Sequence, residues 1–214
     1  MDSLDLFEPA GARLRLGNDA VVLREFALGH VGELFPAIVA VEAASPLRQM
    51  VTPGGLTMSV ASTNCGMLGW VSDQRGYRYT SVDPETRKPW PAMPDVFASL
   101  ATLAAAEAGF PGFEPDACLI NHYAPGARMS LHQDKNERDF GAPIVSVSLG
   151  LSATFLFGGH ERADRAARVP LHHGDVVVWG GADRLRYHGI MPLKSAHHPF
   201  TGAERINLTF RMAG

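Results

Sequence analysis

The sequence lacks the features that mark secreted and membrane-embedded proteins. It contains only two cysteines, Cys65 and Cys118, which are far apart and outside any CxxC pattern. This spacing implies neither a disulfide framework nor a structural zinc site, and two buried, reduced thiols are the simplest account of it. No apolar run approaches the ~20 residues that a membrane helix needs. Residues 1–15 carry acids and no apolar core, so we expect no signal peptide, a cytoplasmic location and no membrane partner.

An excess of positive charge is also missing. The 19 lysines and arginines are outnumbered by 22 aspartates and glutamates, which gives a formal net charge of -3 at pH 7. A protein that covers a long stretch of duplex usually carries a basic face, because it must neutralise many phosphates. The charge balance therefore argues against an extended duplex footprint. A short footprint built from local arginines stays compatible with it.

The composition favours a strand-rich fold with one substantial core. Hydrophobic residues make up 46% of the chain, and 22 glycines and 15 prolines indicate many turns. Helical patterns occupy residues 30–44, where Pro36 is expected to kink or restart the helix, and residues 94–109. Apolar, β-branched runs bounded by Gly, Pro or Asp then follow at 117–123, 144–151, 153–159, 174–181 and 205–212. Several short strands without intervening helices predict a sandwich, barrel or jelly roll.

Residues 50–91 differ both from the helical segments and from the apolar strand segments. They are rich in Gly, Thr, Tyr and Trp and show little helical periodicity, which predicts short strands and long loops. Such a segment could be a lid over a site or an irregular covering, and the local pattern alone favours the covering. We therefore predict an N-terminal extension over residues 1–90 and a core over residues 91–214.

A metal-binding pattern occurs in the segment SLHQDKNE, residues 130–137. His132 and Asp134 are two residues apart, so on a strand their side chains leave from the same face. His188, in the later segment RYHGI, is the candidate third ligand. Two histidines and one carboxylate leave three positions of an octahedron open, as in non-heme Fe(II) oxygenases. HxD also occurs by chance among nine histidines, and a zinc or manganese cupin would fit the same ligands.

The segment RINLTFR near the C-terminus predicts a strand with one polar face. Its polar residues alternate with apolar ones, and they are Arg205, Asn207, Thr209 and Arg211. A polar face of this kind inside a barrel needs an anionic partner, because a buried guanidinium is costly when unpaired. A dicarboxylate that also chelates a metal, such as 2-oxoglutarate, would satisfy both arginines. The alternative is an exposed edge strand with solvated arginines.

Together these motifs resemble the AlkB family of alkylation-repair dioxygenases. The order HxD, distant His and RxNxTxR is similar to the family pattern, and the likeness extends over residues 45–214. The similar segments are QMVTPGG, TNCG, LGW, KPWPAMP, PDACLIN, YAPGA, LHQDK, PIVSVSLGL, FGG, HGDVVVWGG, YHGI and NLTFR. The resemblance implies an α+β, mainly β protein with a double-stranded β-helix (jelly-roll) core, supporting helices and an N-terminal nucleotide-recognition lid.

The resemblance also implies the cofactors and the reaction. It assigns Fe(II) to His132, Asp134 and His188. It places Asn121 and Tyr123 with the polar residues Arg205, Asn207 and Arg211 around 2-oxoglutarate. An enzyme of this kind uses O2 to convert 2-oxoglutarate to succinate and carbon dioxide while it hydroxylates a C–H bond. An N-methylated base such as 1-methyladenine or 3-methylcytosine would then lose its methyl group as formaldehyde, after it is flipped out or supplied in a single strand.

The substrate contacts follow from the same resemblance. Trp70 would form a flat wall opposite His132, Tyr77 and Tyr79 would lie along the nucleotide and its phosphate, and Arg162 would stand at the base. From the local sequence alone, Trp70 could be a core residue and RGYRY a solvated hairpin. The expected partner is alkylated single-stranded or duplex DNA, or RNA, and a monomer is expected.

Two positions depart from the family pattern. Asn136 stands where an aspartate is usual, so a cationic lesion would lose electrostatic help and lesion preference would change. His122 stands where an arginine is more usual, which would weaken contact with the nucleic-acid backbone. The rival hypotheses are a 2-oxoglutarate-dependent hydroxylase of a protein or small molecule, a binding module without chemistry, and the cupin. The intact ligand set disfavours the module, and the dicarboxylate clamp disfavours the cupin.

Overall fold

A computed structural model describes residues 11–214, so the first ten residues of the stretch expected to lack a signal peptide lie outside it. The described part is mainly β, with the two helices α1 (Val31–Ala44) and α2 (Asp95–Glu107). The first seven strands are β1 (Arg13–Arg15), β2 (Ala20–Leu23), β3 (Arg48–Val51), β4 (Thr57–Gly66), β5 (Gly69–Asp73), β6 (Gly76–Thr80) and β7 (Ala117–Tyr123). The others are β8 (Met129–His132), β9 (Ile144–Gly150), β10 (Ala153–Phe157), β11 (Ala167–Leu171), β12 (Val176–Trp179), β13 (His188–Ile190) and β14 (Arg205–Arg211).

Three sheets organise these strands. The major sheet has eight strands in the order β1-β2-β12-β9-β14-β7-β4-β3, and the minor sheet has four in the order β11-β10-β13-β8. The hairpin β5–β6 forms a separate two-stranded sheet. One hydrophobic core joins the major sheet to α1 and α2, and a second joins the major sheet to the minor sheet. This layered arrangement is the jelly-roll core with supporting helices that the family resemblance implied.

Strand β14 shows how side-chain alternation places a site between the sheets. Its apolar residues Ile206, Leu208 and Phe210 belong to the core beneath the helices. Successive side chains of a strand point to opposite faces. The remaining residues of β14 therefore face the interior between the sheets, and these are Arg205, Asn207, Thr209 and Arg211.

The segment 50–91 contains more regular secondary structure than the irregular covering that its local sequence favoured. Its longest strand, β4, has ten residues and pairs with β7 inside the major sheet. The boundary predicted near residue 91 therefore runs across one hydrogen-bonded sheet, because β2, β3 and β4 precede it. The β5–β6 hairpin forms a two-stranded sheet of its own, and it packs against the major sheet through Val71, Met50 and Leu119. Its inner face carries Trp70, Tyr77 and Tyr79.

Two further expectations concern local structure. Helix α1 continues through Pro36, so this proline does not restart the helix. Cys65 and Cys118 are buried free thiols that lie directly opposite each other in β4 and β7.

Within residues 11–214, no helix is both long and apolar enough to cross a membrane.

Candidate active site

A cavity of about 620 Å³ lies between the two large sheets and the β5–β6 hairpin. Strands β7, β8, β13 and β14 and the loop after β8 supply most of its polar lining. All the residues that the sequence assigned to metal and co-substrate contribute to this lining. So do the predicted substrate residues Trp70, Tyr77, Asn136 and Arg162, whereas Tyr79 does not.

Three predicted metal ligands converge at one end of the cavity. Strand β8 ends at His132, and its pairing with β13 places His188 directly across from it. Asp134 follows two residues later, with Oδ1 3.6 Å from His132 Nε2 and Oδ2 3.8 Å from His188 Nε2. One ligand atom from each of the three residues lies within 4.8 Å of the others. A single ion can therefore reach all three.

Backbone carbonyls fix which ring nitrogen each histidine offers to the ion. His132 Nδ1 lies 2.8 Å from the carbonyl oxygen of Ser130, and His188 Nδ1 lies 3.0 Å from that of Arg186. A carbonyl oxygen only accepts, so both Nδ1 atoms carry the proton and donate. In this tautomer Nε2 is the nitrogen that can offer a lone pair to an ion, and in both residues it faces Asp134. This outer hydrogen bonding orients a metal ligand before the metal arrives.

Electrostatics keep the ligands in the protonation states that a metal requires. Burial, with repulsion from His132, lowers the pKa of His188 to about 3. Burial alone would raise the pKa of Asp134, but the positive charge of Arg211 outweighs it and leaves the pKa below its ordinary value. At neutral pH the set therefore comprises a neutral His188 and an ionised Asp134. With three open positions, this donor chemistry fits Fe(II).

The other end of the cavity holds a buried guanidinium that forms no ion pair with any carboxylate of residues 11–214. Arg205 is 1% exposed, and one of its nitrogens donates to Ser148 Oγ at 3.0 Å. The other two, Nε and Nη1, have no hydrogen-bond partner among residues 11–214. Burial lowers the pKa of Arg205, which reflects the cost of a charge held away from water. A carboxylate entering the cavity would relieve that cost, so this end fits the second carboxylate of 2-oxoglutarate.

Cross-strand pairing explains why Asn121 and Tyr123 stand beside this arginine. In the antiparallel pair β7–β14, Tyr123 is opposite Arg205 and Asn121 is opposite Asn207. The guanidinium carbon of Arg205 lies 4.9 Å from the centre of the Tyr123 ring. Asn121 accepts a 2.8 Å hydrogen bond from Ser62. The set that the resemblance assigned to 2-oxoglutarate therefore forms one continuous polar wall.

Arg211 behaves differently from Arg205. Its Nε and Nη2 donate to Asp134 Oδ2 at 2.9 and 2.6 Å, and Nε also lies 3.4 Å from Glu137 Oε1. Asp134 and Glu137 outweigh burial and raise the pKa of Arg211. Arg184, also buried, donates to Glu137 at 3.2 Å. Glu137 and Arg184 were not predicted from the sequence. An acid three residues after the metal carboxylate is visible there, but its burial and its pairing with two arginines are not.

The hairpin supplies an aromatic wall at the mouth of the cavity. Trp70 and Tyr77 stack with ring centres 5.6 Å apart and planes 12° from parallel. The Trp70 indole donates to Asn136 Oδ1 at 3.2 Å. Tyr79 occupies a different place, because its hydroxyl donates to Glu137 Oε1 at 2.6 Å beneath this wall. Tyr79 does not line the cavity, and the contact with the nucleotide that the family resemblance implied for it stays a prediction.

Positive side chains surround the opening. Arg162 is exposed, donates to the Leu131 carbonyl at 2.7 Å and lies over the Tyr187 ring. Arg128 and Lys135 also line the cavity and were not identified from the sequence. Both are close in the chain to the HxD pair, which could have drawn attention to them. The mouth is therefore basic although the whole chain is acidic.

Comparisons with known proteins agree with this geometry. The model of the 2OG-Fe(II) oxygenase superfamily matches residues 22–211. The Escherichia coli K12 protein named alpha-ketoglutarate-dependent dioxygenase AlkB is 60% identical over 214 residues, which cover 99% of this chain and 98% of that protein. An Arabidopsis thaliana protein named DNA N(6)-methyladenine demethylase ALKBH1D is 38% identical over 50% of this chain and 26% of its own length. The solved structure of OsALKBH1 has a TM-score of 0.82 at 27% identity, over 94% of this chain and 99% of that one.

Proposed function

The chain belongs to the 2OG-Fe(II) oxygenase superfamily and, within it, to the AlkB dioxygenases, and on this premise we propose that it repairs N-alkylated bases in nucleic acid. It is a 2-oxoglutarate-dependent dioxygenase that uses Fe(II) and O2. The proposed reaction is oxidative demethylation of lesions such as 1-methyladenine and 3-methylcytosine. Hydroxylation of the N-methyl group gives an N-hydroxymethyl base, which releases formaldehyde and leaves the repaired base.

The metal end of the cavity supplies the reaction centre. His132, Asp134 and His188 would hold Fe(II) through Nε2, a carboxylate oxygen and Nε2. When bound, iron and 2-oxoglutarate together supply the oxidising chemistry, in which O2 is consumed and 2-oxoglutarate becomes succinate and carbon dioxide. Arg211 lies against Asp134 and therefore belongs to the metal end of the co-substrate.

The opposite end holds the co-substrate in one orientation. Arg205, together with Asn121, Tyr123 and Asn207, would bind the carboxylate that is remote from the metal. Arg205 is the group with unused donors at that end, and a guanidinium binds a carboxylate in two-pronged fashion. This clamp leaves the mouth of the cavity free for the substrate.

The mouth suits an extruded nucleotide. A flipped base needs flat apolar walls, and Trp70 provides one opposite His132. Tyr77 extends the stack and is 45% exposed, so it can reach the nucleotide backbone. Arg162 and Asn136 would contact the base, while Arg128 and Lys135 would contact phosphates. A local basic rim of this kind supports a short footprint on DNA or RNA.

The single observation that carries the proposal is one cavity that joins the His-Asp-His set, the Trp70 wall and Arg205, whose Nε and Nη1 have no hydrogen-bond partner among residues 11–214. A hydroxylase of proteins or small molecules would need the first two features, but it has no use for an aromatic wall with a basic rim. The proposal also includes a monomer that works in the cytoplasm.

The test is a direct assay. Purified protein, Fe(II), 2-oxoglutarate and ascorbate are mixed in air with a single-stranded oligonucleotide that bears one 1-methyladenine. Mass spectrometry follows the oligonucleotide, and His132→Ala serves as the control. Loss of one methyl group with the wild type alone supports repair. If succinate forms without demethylation, the protein is a dioxygenase with a different substrate. If neither product forms although iron is bound, the proposal is overturned.

A further inference from the structure

Glu137 is a buried carboxylate three residues after Asp134, and it does not belong to the group of residues that could hold the ion. Its side chain is 2% exposed. It accepts a 2.6 Å hydrogen bond from the Tyr79 hydroxyl and a 3.2 Å bond from Arg184 Nη2, and its Oε1 lies 3.4 Å from Arg211 Nε. A buried carboxylate with three such partners is held in one orientation.

The charges around Asp134 explain why that orientation matters. Two carboxylates, Asp134 and Glu137, lie among two buried guanidiniums, Arg184 and Arg211. Arg211 is shared between the carboxylates, and Arg184 also donates to the Asp134 carbonyl oxygen at 2.8 Å. If Glu137 were neutral, Asp134 would be the remaining carboxylate partner of Arg211, while Arg184 would keep its hydrogen bonds to the backbone carbonyl oxygens of Ala142 and Asp134. Asp134 would then be held more strongly by arginine and would be less available to an ion.

Glu137 also connects this cluster to the hairpin. Tyr79 in β6 is directly opposite Trp70 in β5, so the two side chains share the inner face. Trp70 donates to Asn136 and Tyr79 donates to Glu137. Two side chains that are neighbours on the inner face of the hairpin, Trp70 and Tyr79, therefore bind two consecutive residues shortly after Asp134. A displacement of the Trp70–Tyr77 wall would therefore also displace the segment that follows Asp134.

We propose that Glu137 is a positioning residue, which shares Arg211 with Asp134 and joins the metal carboxylate to the nucleotide wall through Tyr79. This inference rests on the proposed iron and nucleotide sites. It goes beyond them because it makes metal affinity and nucleotide binding depend on each other. By linkage, a nucleotide that changes metal affinity by some factor has its own affinity changed by the same factor when the metal binds.

The test measures metal binding without turnover. Mn(II) is titrated into the metal-free full-length protein in the presence of 2-oxoglutarate, with and without the 1-methyladenine oligonucleotide. Glu137→Gln should weaken Mn(II) binding by about tenfold, the lower end of the effect of losing a direct hydrogen-bond partner of a metal ligand, because Glu137 acts on Asp134 through Arg211. Tyr79→Phe removes one hydroxyl and should weaken binding by about threefold to tenfold. The effect of the oligonucleotide on Mn(II) affinity should largely disappear in Tyr79→Phe.

The matched control is Asp175→Asn. Asp175 is another buried carboxylate paired with an arginine, 2.7 Å from Arg24, but it does not line the cavity. Its loss should lower the melting temperature and change Mn(II) affinity by less than about twofold, because distant sites act independently. If Glu137→Gln and Tyr79→Phe lower stability but leave Mn(II) affinity at the wild-type value, Glu137 is merely structural and the inference is overturned. An oligonucleotide that does not bind at all counts against the proposed substrate, while the Mn(II) comparison still decides the role of Glu137.

Discussion

Trp70 donates its indole N–H to Asn136 Oδ1 across 3.2 Å at the mouth of the cavity. An indole nitrogen can only donate, so the Asn136 atom that faces it must be the amide oxygen. The amide nitrogen is consequently turned away from Trp70. Asn136 thus brings hydrogen-bond donors to the cavity lining, without the negative charge that the family pattern usually has there.

We expect Asn136→Asp to change the ranking of lesions. A carboxylate at this position favours cationic bases such as 1-methyladenine and 3-methylcytosine, because a charge-assisted contact is stronger than a neutral one. The ratio of kcat/KM for 1-methyladenine to that for the neutral lesion 1-methylguanine should rise by about tenfold, the value of one such contact. Both rates are measured on single-stranded oligonucleotides of matched sequence. Asn18→Asp, which adds the same charge at an exposed position, should leave the ratio unchanged; an unchanged ratio in Asn136→Asp would count against the assignment.

Replacing Arg205 by Met should separate co-substrate binding from stability. The variant loses the guanidinium that faces the cavity, so the KM for 2-oxoglutarate should rise by more than about tenfold. The ligand-free protein should nevertheless melt about 2–4 °C higher, because a buried charge without a counterion costs free energy. Succinate formation and calorimetry give the two quantities. Arg168→Met at an exposed position should change neither, and a lower melting temperature for Arg205→Met would contradict the inferred cost.

Metal binding should stabilise the protein through the three ligands. Mn(II) at about 100 times its Kd should add ~2.7 kcal/mol to the free energy of unfolding, equivalent to roughly 5–10 °C in melting temperature. A chelator should reverse the shift. His188→Ala should abolish it, whereas His197→Ala at an exposed position should preserve it. A full shift in the His188 variant would place the ion elsewhere.

His122 should make stability depend on pH in a defined direction. Its Nδ1 lies 2.9 Å from Glu204 Oε2 and its Nε2 lies 2.7 Å from Glu42 Oε1. Burial alone would lower the pKa of His122, but the two carboxylates outweigh it and the pKa is raised above its ordinary value. The stabilisation is therefore complete below the unfolded pKa of about 6.5 and is lost as pH rises through the folded pKa.

The urea midpoints of the wild type and His122→Gln measure this effect. The wild type should exceed the variant most below about pH 6, and the difference should shrink toward pH 9. His160→Gln, at an exposed histidine, provides the baseline. A difference that grows with pH would mean that His122 is stabilising as the neutral ring.

The sequence by itself determined the features that follow from local backbone geometry. The alternation in residues 205–211 predicted a strand with a polar face, and the HxD spacing predicted two ligands on one side of the chain. The alternation holds in β14, because successive side chains of a strand point to opposite faces whatever the strand packs against. His132 is the last residue of β8 and Asp134 lies beyond it, so the strand accounts for His132 alone, although both side chains reach the same place. The assignment of Asn121 and Tyr123 to the cavity came from the family resemblance, because the composition of their strand is equally compatible with a buried core strand.

Only the tertiary structure decided which partner each polar side chain has. Arg205 and Arg211 are equivalent in the strand pattern, yet Arg211 is bound to Asp134 while Arg205 keeps unused donors. Tyr77 and Tyr79 share one face of β6, yet only Tyr77 reaches the cavity because Glu137 lies beneath Tyr79. Local periodicity sets the direction of a side chain. The partner of a side chain depends on segments that are distant in the sequence and are brought together by sheet pairing. These tertiary contacts determine which charged groups lie beside the metal ligands.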